Sequence, residues 1–156
     1  MRVWRLCKAR YAAAAFSGEG TRLFAGRWNP VGIRMVYTST SLALASIEFF
    51  VHLDPSVAPN DLVSISATIP TDDVDVERIE IEDLPADWRA TDRPDLQSLG
   101  ADWIASQRSV ALEVPSVVVE GDWNVLLNPA HPHFPKITVD APKGWAFDDR
   151  MFRATG

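Results

Sequence analysis

Glu48 is the residue whose surroundings in the sequence most need explaining. It lies in TSTSLALASIEFFVHL, and at 100° per residue a helix from Leu42 to Leu53 places apolar side chains on every side. A helix with no polar face is expected to be buried. A carboxylate on it needs a partner or must lose its charge, because an isolated buried charge is very costly. Two readings follow. Glu48 is either half of a structural ion pair, with Arg27 or Arg150 as candidate partners, or a catalytic carboxylate in a cleft. His52, one turn on, shares its flank.

Arg27 is the second candidate, in FAGRWNPVGIRMVY. An arginine held in a Gly-Arg-Trp-Asn-Pro turn is fixed by its backbone, which pre-organises the guanidinium for a phosphate or carboxylate. The plainer alternative is a surface arginine stacked on Trp28. Tyr37 ends the strand that this turn feeds and is either core or a platform for a flat ring. In VPSVVVEGDWNVLLNPAHPHF, Ser116 has no GxSxG elbow and no His/Asp pattern, so it reads as a hydrogen-bond donor rather than a nucleophile. Asn128-Pro129 ends the next apolar run. His131 and His133 form an HxH pair between prolines, a weak metal signal. Cys7 is the single cysteine, which excludes an intramolecular disulfide and a cysteine zinc site and leaves a small buried hydrophobe.

These residues need elements to position them. RVWRLC alternates as a strand with one wet face, and IRMVYTS reads as a buried strand. AAAAFSGEGTRLFAGRWNPVG begins helix-tolerant and dissolves into glycine-punctuated loop. Ser39 or Thr40 offers an N-cap for the Glu48 helix, which Asp54-Pro55 closes. LVSISATIP is an alternating strand, and the more acidic VERIEIEDLP is a second one nearer an edge. RPDLQSLGADWIASQR reads as a helix with Leu96, Leu99, Trp103 and Ile104 on one side. SVALEVPSVVV, NVLLNP and KITVD are short apolar runs, and FDDRMF is a candidate last strand. Many short strands with few helices predict an α+β fold with a mainly antiparallel sheet. Neither a GxGxxG after a strand nor a Walker-type GxxxxGK[ST] is present, so no Rossmann or P-loop nucleotide site is supported.

Composition narrows the function classes. A chain of 156 residues fits one domain, and a net charge of −6 with dispersed acids lacks the basic face of a nucleic-acid binder. The apolar runs are shorter than the roughly 20 residues that cross a bilayer. MRVWRLCKARY does not read as a signal peptide. These features predict a reduced cytoplasmic protein.

RVWRL, FSGEGTRLFAGRWNPVGIRMVYTSTSLALASIEFFVHL, VPSVVVEGDWNVLLNPAHPHF and FDDRMF together resemble, in that order, the RES-domain family. That family is named for an arginine, a glutamate and a serine, and its members are typically toxins of Xre–RES toxin–antitoxin modules. The resemblance runs from Arg2 to Phe152, is strongest in the first third, and finds no motif from Asp72 to about Arg93. It implies one RES domain over 1–156, an ADP-ribosyltransferase-like fold and a reaction on NAD⁺. The family positions fall on Arg27, Tyr37, Glu48 and Ser116, with Asn128 in the NP-x-H element; Ser106 and Ser109 lie close enough in sequence to compete for the serine.

On that resemblance Glu48 stabilises the oxocarbenium-like centre formed as the nicotinamide–ribose bond breaks, and orients the ribose. Arg27 grips the pyrophosphate or ribose side with Trp28 beside it, Tyr37 stacks on the nicotinamide, and Ser116 and Asn128 complete the shell. NAD⁺ is then a substrate, with no permanently bound cofactor and no metal. The implied function is a toxin that degrades NAD⁺, as a glycohydrolase with water or a phosphorylase with phosphate. A protein ADP-ribosyltransferase and a non-catalytic nucleotide- or antitoxin-binding module are the alternatives. The implied partner is an Xre-type helix-turn-helix antitoxin covering the Arg27 cleft, with no direct nucleic-acid or membrane contact.

Overall fold

The alternating segment Arg2–Lys8 forms β1, which pairs along its whole length with β3 (Leu62–Thr68), from Arg2↔Thr68 to Lys8↔Leu62. The computed structural model describes residues 1–54 and 56–152, so the Pro55 stop signal lies outside the described residues. On its other side β1 meets β2 (Val36–Ser39) at one pair only, Trp4↔Ser39, and the two strands diverge from there. From β2 the sheet continues through β6 (Trp123–Leu127) and β5 (Ala111–Pro115) to β4 (Val76–Arg78). β7 (Thr138–Val139) and β8 (Lys143–Trp145) share the far edge of β3. All of these pairings are antiparallel except β4 with β5, which meets the α+β expectation. The acidic strand β4 is at an edge, as its composition suggested.

Alternation along the strands separates two cores. Val3, Val36, Ala67, Val125 and Leu127 pack on one face. On the other, Leu112, Val114 and Leu126 meet Trp28, Met35 and helix α3 (Pro94–Ser106). Proline opens α3, where its missing N–H costs nothing. Leu96 and Trp103 are buried, with Leu99 and Ile104 packed beside them as their spacing predicts.

Three elements differ from their sequence patterns. VERIEIEDLP is a strand only at Val76–Arg78 and turns into a 3₁₀ helix at Ile81–Asp83. FDDRMF is not a strand: Asp149–Phe152 is a 3₁₀ turn. Asp148 accepts the backbone N–H of Arg150 and holds its guanidinium at 2.8 Å, a local alternative to a sheet ladder. Phe147 and Phe152 close edge-on over Phe50. The alanine-rich stretch forms a 3₁₀ helix at Ala9–Ala14, followed by α1 (Glu19–Leu23).

Gly100 sets how α3 meets the Gly-Arg-Trp-Asn-Pro turn. A Cβ on Gly100 would fall 1.8 Å from the carbonyl oxygen of Trp28, which is backbone and cannot turn aside. Gln97, one turn earlier, donates to the carbonyl of Gly26 at 3.0 Å. Gly100→Ala is therefore expected to destabilise the protein by about 2 kcal/mol or more. Urea unfolding should show a lower midpoint at unchanged m-value; a wild-type midpoint would mean that the helix does not seat on the turn.

Candidate functional site

The Gly-Arg-Trp-Asn-Pro turn is built around the hydroxyl of Tyr37. That hydroxyl donates to Asn29 Oδ1 at 2.8 Å and accepts the backbone N–H of Trp28 at 3.0 Å. Asn29, fully buried, directs its amide nitrogen at the carbonyls of Thr21, Phe24 and Pro30. A Cβ at Gly26 would lie 2.7 Å from Asn29 Oδ1 and 2.8 Å from the Tyr37 hydroxyl, so only glycine fits. Burial pushes the Tyr37 phenol well above its ordinary range, against the opposing pull of the Trp28 N–H and of Arg27. The hydroxyl is thus a neutral anchor of the turn, and the ring beside it lines the cleft.

Arg27 leaves this turn and reaches the loop before α3. Its Nη1 donates to the carbonyls of Trp88 and Ala90 at 2.8 and 2.9 Å, and Nη2 approaches that of Arg89. Asp87 and Asp95 both hold Arg93, which staples this loop. A segment without a motif therefore frames Arg27. Burial lowers the Arg27 pKa, and the charge of Glu48 offsets this in part. Their charges act on each other across the cleft, yet no salt bridge joins them.

Glu48 comes from α2 (Leu42–Phe50), capped by Ser41, whose hydroxyl accepts the N–H of Leu44. The cap is thus one residue beyond Thr40 and two beyond Ser39, the expected candidates, and the helix ends before Leu53. Nor is α2 buried on every side. It packs on β1 and β2, while Ala43 is exposed and Val51, just past its end, is 50% exposed at the cleft. Glu48 Oε1 accepts from Ser116 Oγ at 2.7 Å and from Asn124 Nδ2 at 2.6 Å. The structural ion pair is absent: Glu48 pairs with neither Arg27 nor Arg150, whose guanidinium belongs to Asp148. Neutral donors can hold an ionised carboxylate in place of a cation.

Ser116 is the serine brought to Glu48. It is 1% exposed and accepts the N–H groups of Val118 and Val119, so its own proton is free for the carboxylate. Ser106 instead donates to Trp103 O, and Ser109 accepts from the Trp103 indole and donates to Ala111 O. Trp28 lines the cleft from the core beneath it. Asn128 is placed elsewhere: fully buried, it donates to Ile104 O and accepts the N–H of Ala130, holding the end of β6 against α3. Its side chain is used within the fold, so the asparagine at Glu48 is Asn124. His131 Nε2 contacts Gln107 O while Nδ1 accepts the N–H of His133, so both ring nitrogens have protein partners. Among the described residues no group of His, Cys, Asp and Glu is arranged to hold a metal.

The cavity has two lobes. One, of about 670 Å³, is lined by Arg27, Trp28 and the Thr91–Arg93 loop. The other, of about 640 Å³, opens where β1 and β2 diverge and carries Arg5, Tyr11 and Phe24. Tyr37, Glu48, His52 and Asn124 line both, so the lobes meet at the carboxylate.

Arg5 was missed by the sequence reading, which placed it on a wet strand face. Its Nη1 donates to Tyr37 O at 2.8 Å, supplying a bond that the diverging strands do not, while Nε is buried without a partner. Burial lowers its pKa. Among the described residues neither Arg5 nor Arg27 is in a salt bridge, so each can meet an anion. The signals available for the missed residues were thin: a basic residue inside RVWRLC, and a polar one at the head of NVLL.

Fold and site together define the class. The chain belongs to the RES-domain family, which it matches over residues 2–149. It is 33% identical over 156 residues to "Toxin Res" of Photorhabdus laumondii, covering 99% of each chain. It is 36% identical over 154 residues to the "Prs ADP-ribosylating toxin" of a Sphingobium species, covering 96% of each. A chain of the Mycobacterium tuberculosis MbcT–MbcA toxin–antitoxin complex has the same fold, with a TM-score of 0.69 at 18% identity over 93% of this chain and 84% of that one.

Proposed function

We propose that this protein is a toxin that consumes NAD⁺ by breaking the bond between nicotinamide and ribose. The observation that carries this reading is Glu48 at the meeting point of two lobes, each with an arginine that has no acidic partner among the described residues. A dinucleotide has that plan: two bulky ends joined through a pyrophosphate, with the scissile bond off centre. Arg27 and Arg5 bind the charged middle through charge-assisted hydrogen bonds. The Tyr37 ring, fixed by its anchored hydroxyl, offers a flat face to the nicotinamide. As the C1′–N bond breaks, its electron pair leaves with nicotinamide and positive charge grows on the ribose carbon. The Glu48 carboxylate stabilises that charge more strongly than it does the ground state. Water or phosphate then bonds to C1′ and, where water attacks, loses a proton to solvent.

A second reading is supported by the relative named an ADP-ribosylating toxin. In it a protein side chain, rather than a small molecule, takes the ribosyl carbon. An Xre-type antitoxin that covers the cleft is the proposed restraint, and the likeness to a chain of a toxin–antitoxin complex supports a protein partner.

Incubating the antitoxin-free protein with NAD⁺, in phosphate and in phosphate-free buffer, tests these readings. Nicotinamide release is expected, and the identity of the second product tells water from phosphate. Release only when a target protein is added selects the transferase. No release under any of these conditions overturns the enzyme reading.

A further inference from the structure

Every hydrogen bond around Glu48 has a forced direction. An ionised carboxylate only accepts, so Asn124 must turn Nδ2 toward Glu48 Oε1, at 2.6 Å. Its Oδ1 then faces Ser39, whose hydroxyl donates to it at 2.7 Å. Ser39 and Asn124 are direct partners in the β2–β6 ladder, and Asn124 also faces Val114 on β5, so three strands fix its backbone. A slip of one residue in that register would turn Asn124 to the opposite face of the sheet. Ser116 converges on the same oxygen from the turn after β5, so Oε1 holds two donors. Among the described residues Oε2 accepts no bond, and it is left to the cleft that Glu48 lines.

We infer that Asn124, held by Ser39, is a positioning residue that ties Oε1 of Glu48 to the sheet and leaves Oε2 as the one carboxylate oxygen free to meet substrate. The inference rests on the proposed function for the role of Glu48. Its geometric content stands apart from that role. Ser116 alone would leave the carboxylate free to rotate about its last torsion, which is soft for glutamate. A second donor, rooted in a different strand, closes that freedom. It also keeps Oε1 from serving as the substrate contact, so the two oxygens have separate tasks.

The test reads Glu48 directly, with ¹³C-carboxyl NMR following its titration in wild type, Asn124→Ala, Asn124→Asp and Ser39→Ala. The charged and titratable groups lining the two lobes are Arg27 on the turn, Tyr37, His52 beyond α2, Asp92 and Arg93 on the loop, and Arg5, Cys7, Lys8, Tyr11 and Glu19 in the second lobe; none is altered. Asn124→Ala removes one donor to the carboxylate and should raise the Glu48 midpoint. Asn124→Asp places a second carboxylate against Oε1, so the two share a proton and the upper midpoint should rise by about one pH unit or more. Ser39→Ala should give a smaller rise in the same direction.

Turnover of NAD⁺ by the same variants should fall about tenfold in kcat for Asn124→Ala with KM little changed, the pattern of a group aligned for the transition state. A Glu48 midpoint unmoved in both Asn124 variants, with fold intact by amide spectra, overturns the inference. If wild type releases no nicotinamide, the proposed function fails, and the titration still decides the role of Asn124.

Discussion

Glu48→Gln should release nicotinamide from NAD⁺ at least about 100-fold more slowly than wild type, with the loss in kcat. The substitution keeps the shape of the side chain and can still accept from Ser116 and Asn124 through its amide oxygen, so packing of α2 on β1 and β2 is preserved. It removes the negative charge at the point where the lobes meet. A preorganised group facing a developing charge in a water-poor site contributes on the order of 3–4 kcal/mol to the barrier, which sets the expected factor. Single-turnover measurement separates this from an effect on binding. A variant as fast as wild type would remove Glu48 from the mechanism and reduce its network to a fold constraint.

Arg5→Met should separate binding from stability. The Arg5 Nε is buried, its Nη1 donates to Tyr37 O, and the guanidinium has no acidic partner among the described residues. Removing it forfeits one buried bond, about 1 kcal/mol, and relieves the desolvation of an uncompensated cation, so unfolding should change little. The effect on NAD⁺ should be larger. A charge-assisted bond to a phosphate is worth about 1.5–3 kcal/mol, or roughly 10- to 150-fold in kcat/KM. Urea unfolding and steady-state kinetics on one preparation check both halves. A large loss of stability with unchanged kcat/KM would make Arg5 a strut between β1 and β2 and nothing more.

Much of the scaffold was legible because periodicity reports which face of an element is wet. Leu62–Thr68 alternates as a strand and Pro94–Ser106 repeats as a helix, and both formed as read. FDDRMF failed because Asp148 satisfies its own neighbours' backbone, a local bond that alternation of residue types does not report. The apolar pattern around Glu48 gave the right helix and the wrong burial. Val51, just past the helix, faces a cleft, and an apolar residue on a cleft wall reads in the sequence as one in a core does.

The sequence by itself determined the family, the mainly antiparallel α+β architecture, and the presence of an arginine, a tyrosine, a glutamate and a serine in a set order. The architecture follows from local periodicity, which acts over a few positions along the chain, and the family from a resemblance carried by the order of whole motifs. Only the tertiary structure decided which polar residues meet. It chose Ser116 over Ser106 and Ser109, put Asn124 at the carboxylate and used Asn128 to hold β6, replaced an ion pair with neutral donors, and brought Arg5 to the second lobe. Each depends on register between strands far apart in the chain and on where β1 and β2 part, and pairing over such distances leaves no local pattern to read.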